Sequence, residues 1–247
     1  MNTARPARAR NTRLSGRTAL VLGATGELGR VAATALAVLG ARVIVADDDR
    51  TALEGQYGGD DRFVVPAAAA DEPAALAAAL PAIDVLVHRP LEAHAAAETG
   101  RAEAGLDAVL PFVPAMMERR RGSIITLTCS TTTRPAGARG LAASPAGHDL
   151  HRVVRGLAGE LRPFGVRVNA VEPHGIEPTA AVAFLASDAS AHVTGAVLAV
   201  ESGWSSLENL DEPRDTAAPL QPLRALAVLP RHADMMREGQ AYERRRA

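Results

Sequence analysis

Short apolar runs of strand length take turns along the chain with longer stretches whose apolar residues fall at helical spacing. Thr18–Leu22 reads as a buried strand. Leu28, Val31, Ala32, Ala35, Leu36 and Leu39 then recur at the three- and four-residue steps of one helix face, and Gly40 closes that helix. Val43-Ile44-Val45-Ala46 is a second strand, closed by Asp47. Phe63-Val64-Val65, Val85-Leu86-Val87, Ser123–Leu127, Val166–Val171 and Ala196–Val200 read as further strands. Between them, Pro73–Leu80, a segment within 101–119, His148–Leu161 and Ala180–Ala186 read as helices, with Pro111 and Pro114 expected to kink or divide the second of these. Strands and helices in strict alternation predict an α/β fold, a Rossmann-type doubly wound parallel sheet with helices on both faces.

The alternation does not span the whole chain. Residues 1–15 carry Arg5, Arg8, Arg10 and Arg13 without an apolar run behind them, which argues against a secretory signal and predicts a disordered arm. The regular pattern occupies 16–204. From 205 to 247, prolines and charges surround one apolar patch, Leu220–Leu229, and the segment is expected to be a C-terminal extension that either stays loose or packs on a neighbouring subunit through Leu223, Leu226 and Leu229.

Composition narrows the chemistry. Charge is nearly balanced, with 27 basic and 28 acidic side chains, so nothing draws the chain to nucleic acid or to an anionic membrane. No apolar run approaches the roughly 18 residues of a membrane span. Cys129 is the only cysteine, which excludes an internal disulfide and fits a cytoplasmic location. All 27 basic residues are arginine. A lysine Schiff base, a lysine general base and a lysine phosphate clamp are therefore all excluded.

Gly23-Ala24-Thr25-Gly26-Glu27-Leu28-Gly29 joins the first strand to the first helix. Glycines at such a junction let the backbone turn tightly, approach a pyrophosphate and bring helix against strand, and the helix N-terminus offers free N–H groups to the phosphates. Gly23, Thr25, Gly26, Leu28 and Gly29 are thus the expected dinucleotide-binding residues. Asp47, at the end of the second strand, is placed to bond the adenosine ribose hydroxyls, which favours NAD over NADP, while Arg50 nearby softens that preference. Glu27, inside the loop, is compatible with a bound pyrophosphate only if it points outward.

Five further stretches carry a specific likeness. Gly165-Val166-Arg167-Val168-Asn169-Ala170-Val171 with Pro173, then Phe184-Leu185-Ala186-Ser187-Asp188, Val193-Thr194-Gly195 and Gly203-Trp204, together with Gly122–Thr128, resemble the short-chain dehydrogenase/reductase family over residues 14–204. The resemblance implies about seven strands in the order 3-2-1-4-5-6-7 and a nicotinamide cofactor. It also implies an active-site serine at the end of the fifth strand, a proton-donating tyrosine and a lysine that lowers its pKa. Here the serine's place falls on Cys129, beside Ser130. The tyrosine and lysine places fall on Ala143 and Gly147, and the only tyrosines are Tyr57 and Tyr242. The family's Asn-Asn-Ala-Gly after the fourth strand reads His88-Arg89-Pro90-Leu91, and its Pro-Gly after the sixth reads Pro173-His174.

No confident catalytic set replaces the missing one. Cys129, Ser130, His151 and His174 are the remaining candidates, with Cys129 and either histidine as a nucleophile–base pair. His148 and His151 share a helix face, yet no further ligand falls at a convincing spacing, so no metal is assigned. The sequence therefore predicts a pseudoenzyme: a non-catalytic, NAD-binding subunit that forms homo- or hetero-oligomers with an active relative. The competing expectations are a divergent NAD(H)-dependent oxidoreductase or redox-neutral biosynthetic enzyme, and a nucleotide-sensing regulator.

Overall fold

In the sequence, strands predicted for the sheet interior are apolar on both faces, and the architecture follows from that. The computed structural model describes residues 12–68, 70–89, 107–127, 145–173 and 177–200, and the side chains of all of these except 145–151. Strands β1 (Thr18–Leu22), β2 (Arg42–Ala46), β3 (Phe63–Val64), β4 (Val85–His88), β5 (Gly122–Leu127), β6 (Val166–Pro173) and β7 (Val197–Val200) form one parallel sheet in the order β3-β2-β1-β4-β5-β6-β7. The helices are α1 (Glu27–Val38), α2 (Arg50–Tyr57), α3 (Pro73–Ala79), α4 (Val113–Glu118), α5 (Pro145–Leu161) and α6 (Thr179–Ala186).

The two-residue period of each strand divides the core into two layers. Leu20, Ile44, Leu86 and Ile124 point to the side covered by α4 and α5, where Val113, Met116, Val154, Leu157 and Leu161 meet them. Val21, Val43, Val45, Val87 and Ile125 point to the side covered by α1 and α6, against Ala32, Leu36, Val182 and Leu185. Parallel strands buried on both faces need both layers, and the chain supplies them from consecutive crossovers.

Helix ends follow local chemistry. Gly40 takes φ +88, its N–H bonds the carbonyl of Ala37, and the N–H of Ala41 bonds that of Leu36, so the last carbonyls of α1 are satisfied as the chain reverses into β2. Pro111 opens a single 3-10 turn, Leu110–Phe112, and Pro114 lies in the first turn of α4. Both prolines thus sit where no helical N–H is lost.

The sequence–family signatures have physical reasons. The Asn169 side chain is fully buried; its Nδ2 donates to the Val193 carbonyl at 3.0 Å and its Oδ1 accepts from the Ala196 N–H at 3.0 Å. The Val168 N–H bonds Thr194 Oγ1 at 3.1 Å. One amide and one hydroxyl therefore hold the turn before β7 onto β6. Leu14 corrects the expectation of an arm through residue 15: it is fully buried against the α1 face, and its N–H bonds the Leu39 carbonyl at 2.8 Å. A lone apolar residue among polar neighbours has no period to betray it. Residues 1–11 and the extension beyond 204 lie outside the described residues. Among the described residues, no helix is long and apolar enough to cross a membrane.

Candidate functional site

The expected dinucleotide residues gather at the C-terminal edge of β1 and β2, where open parallel sheets bind ligands. Gly23 adopts φ +76, so the turn out of β1 needs glycine. Its N–H and that of Ala24 both reach the Ala46 carbonyl, at 3.0 and 3.3 Å, which ties the loop to the end of β2. Gly29 lets α1 lie on the loop: a Cβ there would come within 2.1 Å of the Gly23 carbonyl oxygen. Gly26 is the N-cap of α1 with no side-chain cap, so the first N–H groups of the helix are not answered by the cap residue. A Cβ at Gly26 would find only Arg89 Nη1 at 3.4 Å and the Gly23 oxygen at 3.6 Å. Both are ordinary contacts, one of them with the tip of a flexible side chain, and a glycine loop leading into a helix N-terminus is the donor set a pyrophosphate needs. Glu27 is exposed. Leu28 packs its side chain on the α1-side core, so only its backbone can face a ligand.

Asp47 does more than wait for a ribose. Its Oδ2 accepts from the Thr25 N–H at 2.9 Å and from the Thr25 hydroxyl at 2.6 Å, and its Oδ1 accepts from the Asp48 N–H at 2.9 Å. A carboxylate has about four acceptor positions, so Asp47 shapes the loop and still keeps room for a ribose hydroxyl. Arg50 is committed elsewhere, to Glu54 at 2.8 Å and to the carbonyls of Pro66 and Ala67 at 3.1 and 3.3 Å.

Tyr57, far from the expected catalytic helix in sequence, braces this loop from the end of α2. Its hydroxyl is buried and donates to the Ala24 carbonyl at 2.7 Å, and Gln56 Nε2 donates to it at 3.2 Å. Burial pushes the phenol up to about 12, with nearby Asp47 adding to the rise and Arg30 opposing it. Tyr57→Phe should therefore leave the Ala24 carbonyl unpaired and cost about 1–2 kcal/mol, read as a lower urea midpoint at unchanged slope.

At the next strand, His88 is fully buried, with Nε2 3.0 Å from Thr126 Oγ1 on β5. Burial holds its pKa down at about 4, so it is a neutral structural imidazole. Arg89 follows it and lies across the glycine loop. Neither His88 nor Arg89 belonged to the expected cofactor set; their position at and just after the end of β4, beside β1, was the available signal. Cys129, Ser130 and His174 lie outside the described residues, as do Ala143 and Tyr242, while His151 and Gly147 are placed on α5 by backbone alone. Among the described residues no group of three or more His, Cys, Asp or Glu side chains could hold a metal.

A cavity of about 540 Å³ opens at the opposite edge of the sheet, lined in part by Arg17, Arg121, Arg167 and Asp188. Its charges are engaged internally: Arg17 with Asp188, and Arg167 with the carbonyls of Leu185 and Ser187 and the Ser190 hydroxyl. That network braces the N-terminal ends of β1 and β6.

Comparison with known proteins agrees with this fold. Residues 102–181 match the family profile described as enoyl-(acyl carrier protein) reductase. A galactitol 2-dehydrogenase (L-tagatose-forming) of Cereibacter sphaeroides is 30% identical over 78% of this chain and 96% of its own length. An uncharacterized oxidoreductase of Mycobacterium tuberculosis is 33% identical over 62% of this chain and 65% of its own. Among solved structures, a short-chain type dehydrogenase/reductase from Mycobacterium marinum superposes with a TM-score of 0.63 at 22% identity, covering 79% of this chain and 97% of that one. The NADP active-site complex of Pseudomonas aeruginosa RhlG superposes at 0.62 and 22% identity, covering 79% and 99%.

Proposed function

The chain belongs to the short-chain dehydrogenase/reductase family, and on that premise we propose that it binds a nicotinamide dinucleotide without performing the family's hydride transfer, serving as a partner subunit to an active relative. The observation that carries this reading is a missing couple. The chain has no lysine and two tyrosines, and the phenol of Tyr57 is buried in a bond to the Ala24 carbonyl. No lysine can tune a phenol, and among the described residues no phenol is free to protonate a carbonyl oxygen gaining charge; positioned acid–base catalysis is worth about 10²–10⁴ in rate. The bound dinucleotide would supply hydride chemistry in a competent relative; here Gly23, Gly26, Gly29, Thr25 and Asp47 would hold and orient it. Asp47 at the ribose favours NAD, because a carboxylate repels an added phosphate.

The experiment is a fluorescence titration of the purified full chain with NADH and NADPH, followed by turnover assays. Saturable binding, tighter for NADH, with no NADH oxidation beyond the uncatalysed rate is expected. A second reading, a divergent oxidoreductase, draws on the galactitol dehydrogenase relative. It predicts NADH consumption with L-tagatose, or NADH formation with galactitol, that Gly26→Asp abolishes, and that result would overturn the non-catalytic reading. Association with a relative is tested by chromatography and mass analysis from the native host: a monomer with no copurifying relative removes the subunit role.

A further inference from the structure

The side chain of Arg89 runs over both glycines that shape the mouth of the loop. β4 pairs with β1 so that His88 stands opposite Leu22, which sets Arg89 beside Gly23. The missing Cβ of Gly23 would lie 3.7 Å from Arg89 Cβ, and that of Gly26 would lie 3.4 Å from Arg89 Nη1. Arg89 is half-buried. Arg17, Arg50, Arg62, Arg119 and Arg121 each pair with a carboxylate; Arg89 has no acid partner among the described residues. Asp47, the acid nearest in role, is turned onto Thr25 and Asp48, and Glu27 is exposed at the first turn of α1. A half-buried cation and an uncapped helix N-terminus thus converge on one small space. Two positive groups facing each other are unfavourable alone and become favourable around an anion.

We infer that Arg89 is a binding residue that clamps the pyrophosphate of the dinucleotide against the Gly23–Gly29 loop, an inference that rests on the dinucleotide reading above. The chemistry it recognises is a diphosphate, shared by NADH, NADPH and ADP-ribose, so it adds affinity without choosing between them. Its planar fork suits two phosphate oxygens at once, a role no lysine in this chain can take.

The test is calorimetric titration of the full chain and of Arg89→Ala, Arg89→Gln and Arg89→Lys with NADH, ADP-ribose and adenosine. The Ala and Gln variants should bind NADH and ADP-ribose about ten- to a hundred-fold more weakly, with a shallower salt dependence, while adenosine binding stays unchanged; Lys should recover part of the loss. Circular dichroism and urea unfolding establish that each variant is folded. Wild-type binding with equal affinity in Arg89→Ala overturns the clamp and leaves the dinucleotide reading intact. Tighter binding in Arg89→Ala overturns it in favour of a side chain that plugs the site. No binding of any phosphate-bearing probe by the wild type or the variants ends both readings.

Discussion

Gly29→Ala is expected to unfold at markedly lower urea than the wild type and to lose dinucleotide binding. The added methyl would lie 2.1 Å from the Gly23 oxygen and 2.9 Å from Ala24 Cα. These are backbone atoms, and they cannot swing away as the tip of a side chain would. Gly23 is itself held to Ala46 and Ala24 to Tyr57, so α1 must lift from the loop. Overpacking of this kind costs about 1–3 kcal/mol and sometimes more. The better helix propensity of alanine returns at most about 1 kcal/mol. Gly159→Ala is the internal control: it lies within α5, and a methyl added there would meet nothing within 4 Å, so it should gain up to about 1 kcal/mol from propensity alone. Equal urea midpoints for Gly29→Ala and the wild type would mean that α1 does not rest on the loop.

The same contrast explains what could be read from the chain beforehand. A parallel sheet with helices on both faces and the glycine cradle were legible because each is written locally, as short apolar runs, a helical period, or glycines between a strand and a helix; the strand order came only from the family resemblance. Val166–Pro173 ran past its expected end at Val171, and α5 began at Pro145 rather than His148, since apolar spacing marks the middle of an element better than its ends. The parts that escaped are contacts between distant positions. Tyr57 reaches Ala24 across 33 residues, and nothing near Tyr57 in sequence announces a partner in the loop. Arg89 read as the loss of a family motif, because its substitution for an asparagine says nothing of where a long side chain lies. Only the adjacency of β4 and β1 turns that loss into a cation over the cradle.

Acid should destabilise this fold through His88, well before its carboxylates protonate. In the folded chain burial holds the imidazole near 4, against 6.5 when exposed. The unfolded chain therefore binds the proton more readily, and stability rises with pH wherever that is so. The His88 contribution is complete above about 6.5 and is lost as pH falls from there toward about 4, so between pH 7.5 and 5 it should remove about 2 kcal/mol. Asp60 and Asp188 have pKa values held below the usual carboxylate range by Arg62 and Arg17, so their contributions fade only at lower pH, outside this window. His88→Asn keeps a group able to bond Thr126 but cannot take up a proton. Urea unfolding of both proteins at pH 7.5 and 5 isolates the effect: the wild type should lose about 2 kcal/mol more than the variant over that interval. Parallel losses in the two proteins would show that the imidazole of His88 is reached by water, and that the end of β4, from which Arg89 departs, is looser than its bond to Thr126 implies.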